Sequence, residues 1–199
     1  MIENQQIFTQ FLEKLMEKED DDFILFSEKG KRLSVHKYIE IIHSPLLIDL
    51  NSKRILGYLY KELKELSEEW FFMEKEQINS DIINYMDKLV LKVPYPIVFG
   101  LDIDVTDLYK IYDVRMDFEN LELTQKIIYY IQLEKMLCNT KVLIFVNLKS
   151  FLGEEQLQEV YKAAFYNKMQ LLLVEFAERG VLCEEKYCII DKDKCVIEF

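Results

Sequence analysis

Glycine and proline are scarce, five and three residues in a chain of 199, which excludes collagen-like, linker-dominated and low-complexity organisation. Histidine is scarcer still: His36 and His43 are the only two, so few side chains are suited to general base work near neutral pH. None of Gly30, Gly57, Gly100, Gly153 and Gly180 falls in a G-x-x-x-x-G-K-[ST] or G-x-G-x-x-G pattern. The backbone N–H cradle of a nucleotide-hydrolysing loop is therefore missing. G-x-S-x-G and H-E-x-x-H are missing too, and no catalytic set is expected. The four cysteines, Cys138, Cys183, Cys188 and Cys195, form no C-x-x-C pair and lie far from both histidines, against the usual zinc spacing. Small buried hydrophobes or reduced surface thiols are expected instead. No apolar run reaches the roughly 18 residues of a membrane span, and M-I-E-N-Q-Q at the N-terminus lacks the basic flank and apolar core of a signal peptide. A cytoplasmic protein without a membrane partner is expected.

Apolar side chains are abundant. Half of the residues are hydrophobic and 13% aromatic, enough in a 24.0 kDa chain to bury a real core over one or two domains. The net charge is -11, and an anion of that size is repelled by phosphate, so any nucleic-acid site must be a local patch.

Periodicity places the elements. Asn4 can cap a helix with Ile7, Phe8, Phe11, Leu12, Leu15 and Met16 at helical spacing. After the charged run from Glu17 to Asp22, the apolar Phe23 to Phe26 and the turn Glu28-Lys29-Gly30-Lys31 predict a strand-turn-strand before Val35 to Ile42. Ser44-Pro45 breaks that run. Ser52 opens a helix with Ile55, Leu56, Leu59, Leu63 and Leu66 on one face, and helical spacing continues from Ser67 to Lys92, with Ile78, Ile82, Met86 and Leu89 as a stripe and Pro94 and Pro96 as stops. Leu121 to Leu137 predicts a further helix.

The C-terminal part differs. Lys141 to Asn147 is a continuous apolar run of the kind buried on both sheet faces. A helix from Glu154 to Tyr166 and a second buried strand from Met169 to Val174 follow, and strand, helix, strand implies a parallel crossover. Tyr187 to Ile190 and Cys195 to Ile197, flanking Asp191 to Lys194, predict a hairpin. The fold class is α/β: a head with a mostly parallel sheet, built from residues 1–60 and 140–199, and an α-helical insertion over 61–139.

Two kinds of cluster stand out. Asp102, Asp104 and Asp107 in L-D-I-D-V-T-D could surround a hard cation such as Ca²⁺, or could be solvated carboxylates at a helix start. Asp191 and Asp193 offer a weaker version of the same choice, against an ordinary charged turn. Basic residues gather at Lys29, Lys31 and Arg32 and at Lys53 and Arg54, and more sparsely at Lys110, Arg115, Lys141 and Lys149. Each would release a counterion against a phosphate; otherwise each is a solvated pair.

The stretch C-N-T-K-V-L-I-F-V-N-L-K-S-F-L from Cys138 to Leu152, with the helix and M-Q-L-L-L-V-E strand after it, resembles the Csn-type adaptation proteins of type II-A CRISPR systems. Phe23 to Leu33, I-E-I-I-H from Ile39, D-L-N-S-K-R-I-L from Asp49 and D-K-L-V from Asp87 follow the same order as that family. The resemblance implies a degenerate P-loop-ATPase-like head without nucleotide chemistry, a helical leg domain, and no enzyme activity. It implies a homotetrameric ring that binds Ca²⁺, takes up double-stranded DNA ends without reading sequence, and assists spacer acquisition with other CRISPR adaptation proteins. By position, Asp102, Asp104 and Asp107 correspond to the family's calcium stretch, and Lys29, Lys31 and Lys141 to its lysines. A family lysine in the second helix is replaced by Gly57, with Lys53 and Arg54 one turn earlier as substitutes. Family members also have about two further strands before the segment where Met1-Ile2-Glu3-Asn4 begins, so an exposed sheet edge is expected here. Two alternatives stay open on the residues alone: a catalytically inactive nucleotide-binding-fold adaptor acting through protein contacts, and a metal-dependent nuclease using the three aspartates.

Overall fold

A computed structural model describes residues 1–17, 19, 22–27, 29–183 and 185–199; Glu28 of the predicted turn and part of the charged run after residue 17 lie outside them. Helix α1 spans Gln5–Glu17, begun by the Asn4 carboxamide, which accepts the Ile7 N–H at 3.1 Å. Its apolar side faces the core through buried Leu15, whereas Met16 is exposed. Strands β1 (Leu25–Phe26) and β2 (Arg32–Leu33) pair antiparallel, and Gly30 closes the turn at φ 71°, open to glycine at no steric cost. The run expected over 35–42 divides into a one-turn helix α2 (Val35–Tyr38) and strand β3 (Ile39–Ile42). A 3₁₀ turn over Pro45–Leu47 follows.

β3 pairs in parallel with β4 (Val142–Val146), and β4 with β5 (Gln170–Val174), in the order β3-β4-β5. Every residue of β4 is buried, as the unbroken apolar run requires. On one face Val142 and Ile144 join Ile39, Val174, Val35, Ile2 and Leu15 in a buried cluster, flanked by Ile7, Phe8, Phe11 and Leu12 of α1. Leu143 and Phe145 point to the other face and have no exposure at all. Helices α6 (Leu123–Met136) and α7 (Glu154–Tyr166) pack on each other, with Ile127, Ile131 and Val160 fully buried, and α7 lies against β5 as the crossover between β4 and β5.

β5 departs from expectation. Its burial alternates, and Leu172 remains 44% exposed, because no strand pairs with its outer side among the described residues. At its end the first residues of the chain intervene: Ile2 donates its N–H to the Glu175 carbonyl (2.9 Å), and Glu3 N–H reaches the Ile190 carbonyl (2.8 Å). Ile190 belongs to β6 (Cys188–Ile190), which pairs antiparallel with β7 (Val196–Glu198). The Asp191 carboxylate holds the connecting turn by accepting the N–H groups of Asp193 and Cys195.

The chain divides into two compact units, Met1–Leu50 with Phe118–Phe199, and Asn51–Asp117. These limits differ from the expected 60/61 and 139/140: α6 belongs with the sheet, because its buried face packs on α7. The second unit holds α3 (Lys53–Trp70), α4 (Phe72–Val90) and α5 (Val105–Ile111), so seven α-helices occur among the described residues. Ser52 caps α3 by accepting the Ile55 N–H. Asn51 ties the unit's beginning to its end, accepting the Met116 N–H at 2.8 Å and donating to the Met116 carbonyl at 3.1 Å. No residue of α4 is buried, and of the expected stripe Ile78, Ile82 and Leu89 are exposed and Met86 half-buried. No described helix is long and apolar enough to cross a membrane.

Candidate nucleic-acid interface

The basic residues separate into distinct environments. Lys29 and Lys31 are exposed on the β1–β2 turn, and Arg32 starts β2. The turn is braced by the Ser27 hydroxyl, which accepts the Lys31 N–H at 3.1 Å, and by backbone bonds from Ser27 N–H to Lys31 and from Gly30 N–H to Ser27. These contacts fix the loop while leaving the lysine side chains in water. In the other unit, Lys53 is exposed and Arg54 half-buried in the first turn of α3, where the unpaired N–H groups of a helix start already carry partial positive charge. One turn on, a Cβ built at Gly57 meets nothing within 4 Å, so the position corresponding to a family lysine opens onto free space. Lys110 and Arg115 are occupied by Asp107 (2.8 Å) and Asp113 (3.4 Å).

Lys149 does not belong to an interface. It lies in the 3₁₀ turn Leu148–Ser150 after β4, its side chain 8% exposed. The ammonium donates to Glu185 Oε2 at 2.6 Å and to the Gly180 carbonyl at 2.7 Å, while Tyr161 donates its hydroxyl to the other Glu185 oxygen. An ammonium so enclosed cannot reach a phosphate without breaking an ion pair that burial makes costly to open. The sequence signal was misleading here because the partners lie 12 to 36 residues further along the chain. Beside it, Lys149 N–H donates to Glu175 Oε1 at 3.0 Å. Burial pushes the Glu175 carboxyl above its ordinary range, opposed by that N–H and by the charges of Lys149 and Arg179. Nucleotides bind at the C-terminal ends of strands in open α/β sheets; at the ends of β4 and β5 that space holds this closed polar network.

Lys141 is placed differently. It precedes β4, and its N–H donates to the Tyr38 carbonyl at 2.9 Å while its own carbonyl accepts the Gln170 N–H at 3.0 Å. That register sets Lys141 and Lys168 on neighbouring strand entries, and burial, with the charges of both, holds the Lys135 ammonium in the last turn of α6 below its ordinary range. Neither Lys135 nor Lys168 is marked by sequence spacing, since they stand 6 and 27 residues from Lys141.

The aspartates of 101–107 are held locally. Asp104 caps α5 by accepting the Thr106 N–H at 3.0 Å and pairs with Lys64 at 3.4 Å; the Thr106 bonds and then Lys64 hold its carboxyl below the usual range. Asp107 pairs with Lys110 at 2.8 Å, which in turn raises the Lys110 ammonium above its ordinary value. Among the described residues no group of three or more His, Cys, Asp or Glu side chains could hold a metal ion. The three aspartates therefore do not fit a calcium ligand set: two spend their charge on lysines, and a cation would have to displace both ammonium groups.

Residues 16–194 match the family model described as CRISPR-associated protein (Cas_Csn2). The chain is 24% identical over 207 residues to the CRISPR-associated protein Csn2 of Streptococcus agalactiae, an alignment covering 98% of this chain and 88% of that one. With the family model matched over most of its length, the chain belongs to the Csn2 family of CRISPR-associated proteins, and that membership implies a role in CRISPR adaptation.

Proposed function

We propose that this chain, without catalysing a reaction, assembles as a homotetrameric ring that binds the ends of double-stranded DNA irrespective of sequence and so assists spacer acquisition in the cytoplasm, together with other CRISPR adaptation proteins. The observation that carries the reading is the sorting of cations in an acidic chain. Lys149, Lys64 and Lys110 are spent on carboxylates, whereas Lys29, Lys31, Lys53 and Lys141 have no carboxylate partner among the described residues and are left for phosphate. Contacts to phosphate alone carry no sequence information. The head is a degenerate relative of P-loop ATPases on this reading, consistent with a glycine-poor turn after β4 and an internally satisfied polar network where a nucleotide would sit. Self-association is supported by α4, whose apolar Ile78, Ile82 and Leu89 remain exposed. No step of the reading passes through calcium.

A mobility shift comparing one linear duplex with the same DNA as a closed circle tests it. Rings that load from ends retain the linear form and release the circle, with binding that weakens steeply as salt rises. Equal retention of both forms would remove the ring, and would favour the adaptor reading if the binding were also insensitive to salt.

A further inference from the structure

The second unit turns from α3 into α4 at a single residue, Phe71, with φ -125° and ψ 27°. Trp70, Phe71, Phe72 and Met73 follow one another at this corner, and all four are exposed. Both sides of the corner work against the chemistry that stabilises helix ends. The N-cap of α4 is Phe71, whose ring accepts no backbone N–H, where Ser, Thr, Asp or Asn would. The last turn of α3 holds no basic residue and instead carries Glu68 and Glu69, which add charge to the negative end of the helix dipole. Residues that oppose their own local structure are expected where a surface serves binding.

A crevice of about 160 Å³ opens at the corner, lined by Phe71, Ile78, Ile103, Leu108 and Tyr109, with Glu74 among them. It is too small for a cofactor, whose pockets run to about 300–1,000 Å³. An apolar cavity of about 150 Å³ holds a benzene ring, so this one suits a single phenylalanine or leucine side chain. Charge around the corner has one sign. Residues 68–76, E-E-W-F-F-M-E-K-E, include four glutamates and one lysine. Lys75 is answered by Glu76 at 3.8 Å and lies 5.9 Å from the Phe72 ring centre, whereas Glu68, Glu69 and Glu74 are exposed and form no ion pair among the described residues. Such a surface repels phosphate, and a second copy docked corner to corner would set three more unpaired carboxylates against these three. A cation-bearing apolar partner relieves both the exposed rings and the unanswered charge.

We infer that this corner docks a cationic amphipathic segment of another protein, with one bulky apolar side chain in the crevice and Lys or Arg of the segment opposite Glu68, Glu69 and Glu74. Trp70, Phe72 and Met73, next to Phe71 along the chain, supply the apolar contact around that anchor. Exposed aromatic residues at a pocket, with a charged rim, have the anatomy of an interface hot spot. The inference goes beyond the DNA reading and holds whether or not the chain binds DNA.

Trp70 is the one tryptophan of the chain and is 69% exposed, so its emission reports this corner alone. The full chain is titrated with an amidated, helix-forming leucine-lysine peptide whose leucines share one face, with the same peptide carrying Glu for every Lys, and with oligolysine of equal charge. Expected is a saturable blue shift with the leucine-lysine peptide only, weakening as salt rises. F72Q/M73Q and E68Q/E69Q/E74Q change exposed side chains and keep Trp70; each should melt with the parent and bind the peptide about tenfold more weakly. E154Q/E155Q/E159Q removes the same charge from α7 and should bind as the parent does. Equal shifts with oligolysine or with the Glu peptide, or parent-like binding by both corner variants, overturns the site. The competing occupant is a second copy, because Ile78 belongs also to the α4 stripe. Emission that is already blue in the parent, and turns red as dilution dissociates the chain, assigns the corner to that copy and overturns the inference. None of these outcomes alters the comparison of linear with circular DNA.

Discussion

Lys149→Met separates a structural cation from a DNA contact. In the parent the Lys149 ammonium donates to Glu185 and to the Gly180 carbonyl, and the two side chains are only 8% and 13% exposed. Met fills nearly the same volume but leaves the Glu185 carboxylate enclosed with Tyr161 as its remaining donor. Removing one partner of a buried pair costs about 3–5 kcal/mol, and in a protein of this size each kcal/mol moves Tm by about 2–4 °C. A fall of about 6–20 °C is expected. DNA affinity and its salt slope, measured below the new Tm, should equal the parent's. In K149M/E185Q both charges are gone and the Tyr161 hydroxyl keeps an acceptor, so more than half of the loss should return. The assays are thermal melts of the three proteins and a salt-titrated duplex-binding curve. A parent-like Tm combined with weaker DNA binding would refute the reasoning and return Lys149 to the interface.

Gly57→Lys should raise stability by about 0.5–1 kcal/mol, since glycine is a poor residue for the interior of an exposed helix, and should tighten duplex binding; thermal melts and a mobility shift check both. Asn51→Ala removes the two bonds to Met116 and should cost about 1–3 kcal/mol, read as a lower denaturant midpoint with the sheet core's amide protection kept. Glu175→Gln tests the raised carboxyl: as pH climbs from the unfolded value through the folded one, the unfolded chain ionises first and stability is lost. The variant should therefore melt above the parent at pH 7.5 and level with it near pH 4; a variant that melts lower at pH 7.5 means that Lys149 and Arg179 make the carboxylate net stabilising. Because Asp104 and Asp107 already face Lys64 and Lys110, calcium should leave the Tm of D102N/D104N/D107N and of the parent where chelator leaves it, and a calcium-dependent rise in the parent alone would reinstate the site.

Local chemistry was legible wherever one segment decides its own state. Asn4 and Ser52 cap helices because their side chains accept N–H groups three residues on, and Gly30 and Asp191 make turns for reasons contained in four or five residues. The unbroken run V-L-I-F-V could only be a strand covered on both faces, and strand-helix-strand spacing required a parallel crossover. Family membership was legible as well, since it follows order along the chain.

What depended on contacts between distant residues was not. M-Q-L-L-L-V has the composition of a buried strand, yet whether a strand is central or at an edge depends on how many neighbours the sheet supplies, and β5 has one among the described residues. Ile78, Ile82 and Leu89 have helical spacing whether or not they are buried; only packing shows that they stay exposed, Ile78 beside Ile103, Val105 and Leu108. The cations make the same point most sharply. Lys141 and Lys149 sit eight residues apart at the two ends of one strand, indistinguishable by type and spacing. The fold brings Glu185 and Tyr161 to one and two further lysines to the other. Charge is a property of a residue, but the free energy of a charge depends on what surrounds it, and those surroundings come from parts of the chain that only the tertiary structure brings together.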